Sequence, residues 1–211
     1  MVEFDWLSSP SRLWTRPEIL SDPCPVPKVR GIYGWYFKEI PGSVPTTSCI
    51  CHNEMTLLYV GICPGKAKGN KPLSNRRTIF DRIKEHAKGN AEGSTLRETL
   101  GVLLAEKTGF PLRCIMSKKN PNKPKKDQRV TLTNQGEQTL DRWLNDNAFV
   151  VWNQLEEPWL LEESLLNSIS LPLNLDGNKH HPFHETLSRL RKEARLKARE
   201  LPSVSDTVPR S

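Results

Sequence analysis

Two short apolar runs restrict this chain more than anything else in it. GIYGWYF occupies residues 31–37 and LLYVG residues 57–61. Each is dense in β-branched and aromatic strand formers and is bounded by turn residues, so the two are expected as neighbouring strands. A tyrosine stands in both, Tyr33 and Tyr59. The connection between them, KEIPGSVPTTSCICHNE, is longer than a hairpin needs and is expected as a loop beside the tyrosines. AFVVW at 148–152 reads as a third strand.

Between the second and third runs the period becomes helical. RTIFDRIKEHAKG puts Ile79, Phe80, Ile83 and Ala87 on one side of a helix, with Arg82 and His86, four apart, sharing the edge of that stripe as two cationic donors. Taken alone, the pair fits a solvated helix rim as readily as a site. STLRETLGVLLAEKTGFP predicts a second helix, with Thr95 and Glu98 as a capping box, Leu96, Leu100, Leu103 and Leu104 in the core, and Gly109 and Pro111 as stops. NQGEQTLDRWLNDN predicts a third, capped by Asn134 and Glu137 and burying Leu140, Trp143 and Leu144.

A fourth helix, PWLLEESLLNSI, opens on Pro158. Leu165, Leu166 and Ile169 form its apolar arc; Glu162 falls near the middle of that arc and Glu163 about a quarter-turn away. A carboxylate aimed into a core must be paired, protonated or facing a pocket that holds a cation. With a shifted helix start, Glu162 becomes an ordinary first-turn acid favoured by the dipole.

Charge bears on the partner. Lys and Arg number 31 against 24 Asp and Glu, a formal +7 with a pI near 9.2, which favours a polyanion, nucleic acid before membrane. Two basic stretches are candidates for phosphate contact. ICPGKAKGNKPLSNRR supplies Lys66, Lys68, Arg76 and Arg77, and SKKNPNKPKKDQRV supplies Lys118, Lys119, Lys123, Lys125 and Lys126. The second stretch has two prolines and no periodicity; it reads as a mobile basic loop or ribbon, or as a solvated turn.

With 211 residues and 36% apolar content, one domain with one modest core is expected. No run of about 18 apolar residues exists, and MVEFDWLSSP lacks both a basic start and an apolar middle, so the expectation is a soluble cytoplasmic, intracellular protein with no membrane partner. Five cysteines, an odd number, fit reduced thiols in such a compartment. CICH at 49–52, even with His180, His181 or His184, lacks the second half of a zinc site.

In order and type, GIY at 31–33, YVG at 59–61, Arg82 with His86, Glu162 in EESLL and Asn174 in LPLN resemble the signature of the GIY-YIG nucleases, and most closely its small restriction endonucleases. The resemblance covers residues 31 to about 175. It implies an α+β fold, a small three-stranded antiparallel sheet flanked by helices, with both tyrosines pointing into one active site. It further implies a metal-dependent DNA endonuclease of restriction, repair or mobile-element type. Glu162 would hold one Mg²⁺ (or Mn²⁺), with no small-molecule cofactor. Arg82 would brace the scissile phosphate, and Tyr33 would deprotonate or orient the water, helped by a pKa depressed near the metal. Tyr59 and His86 would position phosphate or nucleophile, and Asn174 would fix the site through its amide. A non-catalytic nucleic-acid-binding module that keeps the fold is the alternative.

The domain reading follows from these elements. Residues 1–30 are expected as an extended lead-in with Trp6 and Trp14 on the core, and residues 31–175 as the nuclease-like domain with a helical insertion at about 94–147. Residues 176–201 are expected to hold a basic C-terminal helix that docks on the domain or makes a homodimer, its basic face either touching DNA backbone or solvated with i,i+4 charge pairs, and 202–211 to be a disordered tail.

Overall fold

The computed structural model describes residues 4–65, 77–116, 120 and 122–205. The chain begins with α1 (Asp5–Ser8), β1 (Trp14–Thr15) and α2 (Arg16–Ile19), followed by β2 (Gly31–Phe37), β3 (Cys51–His52) and β4 (Met55–Cys63). Next come α3 (Ile79–Lys88), α4 (Thr95–Leu103), α5 (Ala105–Thr108), β5 (Arg113–Ile115) and, after a 3₁₀ turn at Lys125–Asp127, β6 (Arg129–Thr131). The rest is α6 (Asn134–Asn147), β7 (Ala148–Gln154), α7 (Pro158–Ser168) and α8 (His184–Glu200). Among the described residues no helix is long and apolar enough to cross a membrane.

The main sheet is antiparallel and runs β1-β7-β2-β4-β3, five strands rather than the three expected. Its centre is the expected trio. The additional strands, β1 and β3, are edge pieces of two residues each, too short to carry any alternation in sequence. β1 lies in the segment expected to be extended, which also forms the helical turns α1 and α2. There a capping box between Thr15 and Glu18 starts α2, and Arg16 reaches the Ala87 carbonyl at the end of α3.

Register decides what the sheet presents. Tyr33 stands opposite Gly61 and Trp35 opposite Tyr59. Directly opposed residues of an antiparallel pair share a face, and side chains alternate along each strand. Tyr33, Trp35, Tyr59, Gly61 and Cys63 therefore lie together on one face, and Ile32, Gly34 and Val60 on the other. The tyrosine face packs on Ile79 and Ile83 of α3, Leu96 and Leu100 of α4, and Leu140 and Leu144 of α6. Residues 94–147, expected as an insertion, thus build the same core as the nuclease-like strands. The opposite face receives Leu7 of α1 and Leu161, Leu165 and Leu166 of α7.

One buried cation ties the helices on the tyrosine face together. Arg97 of α4, 0% exposed, donates from Nη2 (2.5 Å) and Nε (3.0 Å) to Glu137 of α6, and pairs with Asp141 of α6 at 2.8 Å. Its Nη1 donates to the carbonyls of His86 and Ala87 at 3.2 and 3.1 Å, holding the last turn of α3. The second carboxylate oxygen of Glu137 accepts from the Ala91 amide. This corrects one cap assignment: Glu137 is committed to Arg97, and the α6 cap is Thr133, whose side chain accepts from Gly136 N–H. Likewise α4 is capped by Ser94, not Thr95, and Glu98 pairs with Arg191 and Arg195 of α8.

At the far end, Val204 pairs with the ribbon β5–β6 through Cys114 O and Met116 N, so residues 202–205 run against the domain; the rest of the expected tail, 206–211, lies outside the described residues. Arg97→Ala would leave the buried Glu137 Oε2 without its cation and take a donor from the His86 carbonyl, while Arg16 still serves Asp141 and the Ala87 carbonyl. It is expected to cost about 3–5 kcal/mol, read as a lowered urea midpoint at unchanged m-value.

Candidate active site

The tyrosine face ends in an open cleft of ≈ 800 Å³ between the sheet and α7. Tyr33, Tyr59, Arg82, Glu162 and Asn174 all line it. The Tyr33 ring lies across the Gly61 backbone, so close that a Cβ at residue 61 would stand 2.4 Å from the phenolic oxygen. Only glycine fits beneath the ring, which is the physical content of YVG. Gly31 is fixed similarly by its neighbour strand: a Cβ there would meet Asn153 O at 2.3 Å.

His86 is 1% exposed and enclosed by the rings of Tyr33, Trp35 and Tyr59. Its Nε2 is 2.8 Å from Tyr33 Oη, and its Nδ1 is 2.7 Å from Ser94 Oγ. Ser94 Oγ already accepts the Arg97 backbone N–H as the α4 cap. Ser94 can give its own proton to Nδ1, whereupon Nε2–H donates to Tyr33; the other tautomer reverses both bonds, with Tyr33 donating to Nε2. Burial, reinforced by Arg82, Arg97 and Arg77, pushes the imidazole pKa well below its ordinary value. The expectation of two cationic donors on one edge is corrected here: His86 is a neutral interior group, and of the two it is Arg82 that carries charge to the cleft.

Burial works against the Arg82 charge, yet Tyr33, Tyr59 and Glu85 outweigh it and the pKa ends above the ordinary value. Glu85 pairs with both Arg82 and Arg77, so the guanidinium is braced from its own helix. Burial, then the nearby Tyr59, raises Tyr33 well above an ordinary phenol, with Arg82 opposing. Burial likewise pushes Tyr59 up to about 12, Arg82 opposing and Glu162 assisting. The protein's own groups keep both phenols protonated at neutral pH.

Asn174 works on backbone. Its Nδ2 donates to Val60 O at 2.8 Å and its Oδ1 accepts from Val60 N–H at 2.9 Å, while Leu173 N–H donates to Leu58 O. The segment thus closes the outer edge of β4 beyond the reach of β3, and holds the strand between Tyr59 and Gly61 in place.

Glu162 differs from its expected setting. It is half-buried on the cleft wall, not in the middle of a core, because the core side of α7 is Pro158, Leu161, Leu165 and Leu166. Trp159, Glu162, Glu163 and Leu166, at helical spacing, face the cleft together. Glu163, more exposed, shares that wall.

Of the expected phosphate contacts, Lys66, Lys68, Arg76, Lys118 and Lys119 lie outside the described residues. Arg77 is half exposed above Glu85. Lys123, Lys125 and Lys126 belong to the ribbon beside α8 rather than to the cleft wall. Sequence reasoning missed Ser94, Trp159, Asp176 and Arg191. Only Ser94 had a usable signal, as the hydroxyl immediately before a helix.

A family model described as the GIY-YIG catalytic domain matches residues 31–193. The span contains both tyrosines, Arg82, His86, Glu162 and Asn174, and the chain belongs to this family. Membership supports a nuclease-type function in general. No curated protein and no solved structure matches the chain significantly.

A histidine kept neutral by burial binds its proton more weakly in the folded state than in the unfolded one, so stability is full above about pH 6.5 and declines as pH falls below it. The slope contributed is at most about 1.4 kcal/mol per pH unit. His181, also depressed by burial, acts in the same direction, whereas Glu18, held near 2, acts only below about 4.5. Thermal melts should therefore fall between pH 6.5 and 5, and His86→Asn should remove part of that fall.

Proposed function

We propose that this protein is a metal-dependent endonuclease that hydrolyses phosphodiester bonds in DNA. The observation that carries the reading is the convergence of Tyr33, Arg82 and Glu162, from strand, helix and helix, on one open cleft of ≈ 800 Å³. Among the described residues no three His, Cys, Asp or Glu gather into a metal cluster. A half-buried carboxylate in a roomy cleft suits a hard ion that keeps most of its waters, so the donors fit Mg²⁺ (or Mn²⁺) held by Glu162 rather than zinc. When bound, such an ion would supply positive charge to the developing phosphorane and the leaving 3′ oxygen.

The chain's own residues divide the remaining work. Arg82, charged and braced by Glu85, would donate to non-bridging oxygens of the scissile phosphate as their charge grows. Tyr33 would orient the attacking water or take its proton. Proton removal needs the phenolate, and Arg82 together with the His86 Nε2–H faces the oxygen where that charge would sit. Tyr59, protonated, would donate to phosphate. His86 and Asn174 would position Tyr33 and β4 without touching the substrate.

Two sets of variants test the assignment by single-turnover cleavage of duplex DNA across a Mg²⁺ titration. Glu162→Gln keeps shape and removes the ligand charge, so cleavage should collapse while binding persists, and Glu163→Gln should cut near the wild-type rate. Equal rates for wild type and Glu162→Gln at every metal concentration contradict the reading, and loss confined to Glu163→Gln moves the ligand by one residue. Arg82→Lys retains charge but loses the planar fork, and should slow the reaction by about 10²-fold or more. Binding by wild type without cleavage would make the chain a nucleic-acid-binding module.

A further inference from the structure

Among the described residues the cleft wall carries more negative than positive groups. Glu162, Glu163 and Asp176 line it against Arg82 and Arg191. A polyanion seated there gains from further cations, and the structure has a row of them next door.

A second, shallower groove of ≈ 360 Å³ runs along α8, and Arg191 and Leu175 line both it and the cleft, so the two are continuous. Lys192, Arg195 and Arg199 continue its wall from Arg191 along one side of the helix. The helix is held so that this side faces outward. Leu187 and Ala198 are fully buried on the inner side, and Glu98 of α4 binds Arg191 and Arg195 at once. One carboxylate is thus shared by two guanidiniums, and it orients them without cancelling their charge. On the helix itself Glu193, next to Lys192, is occupied by Arg189, and Glu200 follows Arg199 at the C-terminal end. At the far end Arg199 donates to the carbonyls of Lys125 and Lys126, which sets the cations of the ribbon at the end of the row.

We propose that this groove is the binding track for a nucleic-acid strand leaving the cleft, with Arg191 at the junction and Lys192, Arg195 and Arg199 on successive phosphates. From residue 191 to 199 the helix rises about 12 Å. A duplex strand carries a phosphate every ~3.4 Å of axis, so the row spans about three phosphates. The proposal rests on the nuclease reading for the direction of the strand. It adds where affinity arises, a surface separate from the groups assigned to chemistry.

The test is equilibrium binding of a labelled duplex oligonucleotide to the full chain in EDTA over a salt series, beside single-turnover cleavage in Mg²⁺. Lys192→Gln/Arg195→Gln/Arg199→Gln keeps the Arg191 to Glu98 pair but loses the Arg195 pair and the Arg199 bonds to the ribbon, so it should melt below wild type yet remain folded, whereas Lys192→Gln should melt with wild type. The triple variant's plot of log affinity against log salt should be flatter than wild type by about two to three, and that of Lys192→Gln alone by about one. An unchanged slope in both variants, with wild type still cutting DNA, overturns the track and leaves the nuclease reading in place. Flattened slopes without cleavage by wild type at any metal concentration uphold the track and remove the nuclease reading. Absence of salt-dependent binding by wild type overturns the track outright.

Discussion

The 2.8 Å hydrogen bond between Tyr33 and His86 joins the sheet to α3, and the site is placed relative to it. On one side it depends on register, since the Tyr33 ring can reach the imidazole only by lying flat over Gly61. On the other it depends on α3 standing at a fixed depth, which Arg97 secures through the His86 and Ala87 carbonyls. Ser94 caps α4 and completes the imidazole's partners. A neutral relay therefore runs from the helix cap through His86 to the phenol. It fixes Tyr33 without adding a charge to the interior.

At the site, charge stands on the cleft wall, apart from the neutral relay, and the two kinds of group do different work. Arg82 keeps its proton because Tyr33, Tyr59 and Glu85 surround it, and the tyrosines keep theirs because they are buried. Any phenolate there must be created against burial, with Arg82 and an imidazole N–H as the compensating donors. Under the proposed track, the α8 row would add attraction for phosphate beside the three carboxylates of the cleft wall.

Much of this was legible in the sequence because it rests on period and spacing. The three central strands, the helix bearing Arg82 and His86, and Pro158 at the start of α7 all follow local rules, and the ordered motifs led to the family. The rest depends on partners distant in sequence. His86 read as a rim cation because a helical wheel cannot see three aromatic rings arriving from a sheet. Glu98 and Glu137 read as caps because their spacing fits one, whereas their partners lie on other helices. The edge strands β1 and β3 were illegible at two residues each. Glu162 sat in the apolar arc of the wheel, but α7 buries a neighbouring face and turns Glu162 to the cleft wall.

The central claim is that the register-placed Tyr33 acts on the reacting atoms rather than merely packing. The most direct measurement compares wild type with Tyr33→Phe in single-turnover cleavage of duplex DNA with Mg²⁺, after circular dichroism and thermal melts establish that the fold is kept. The account predicts a loss of about 10²–10⁴-fold in rate with affinity nearly unchanged. A Tyr33→Phe variant that cuts at the wild-type rate would contradict it.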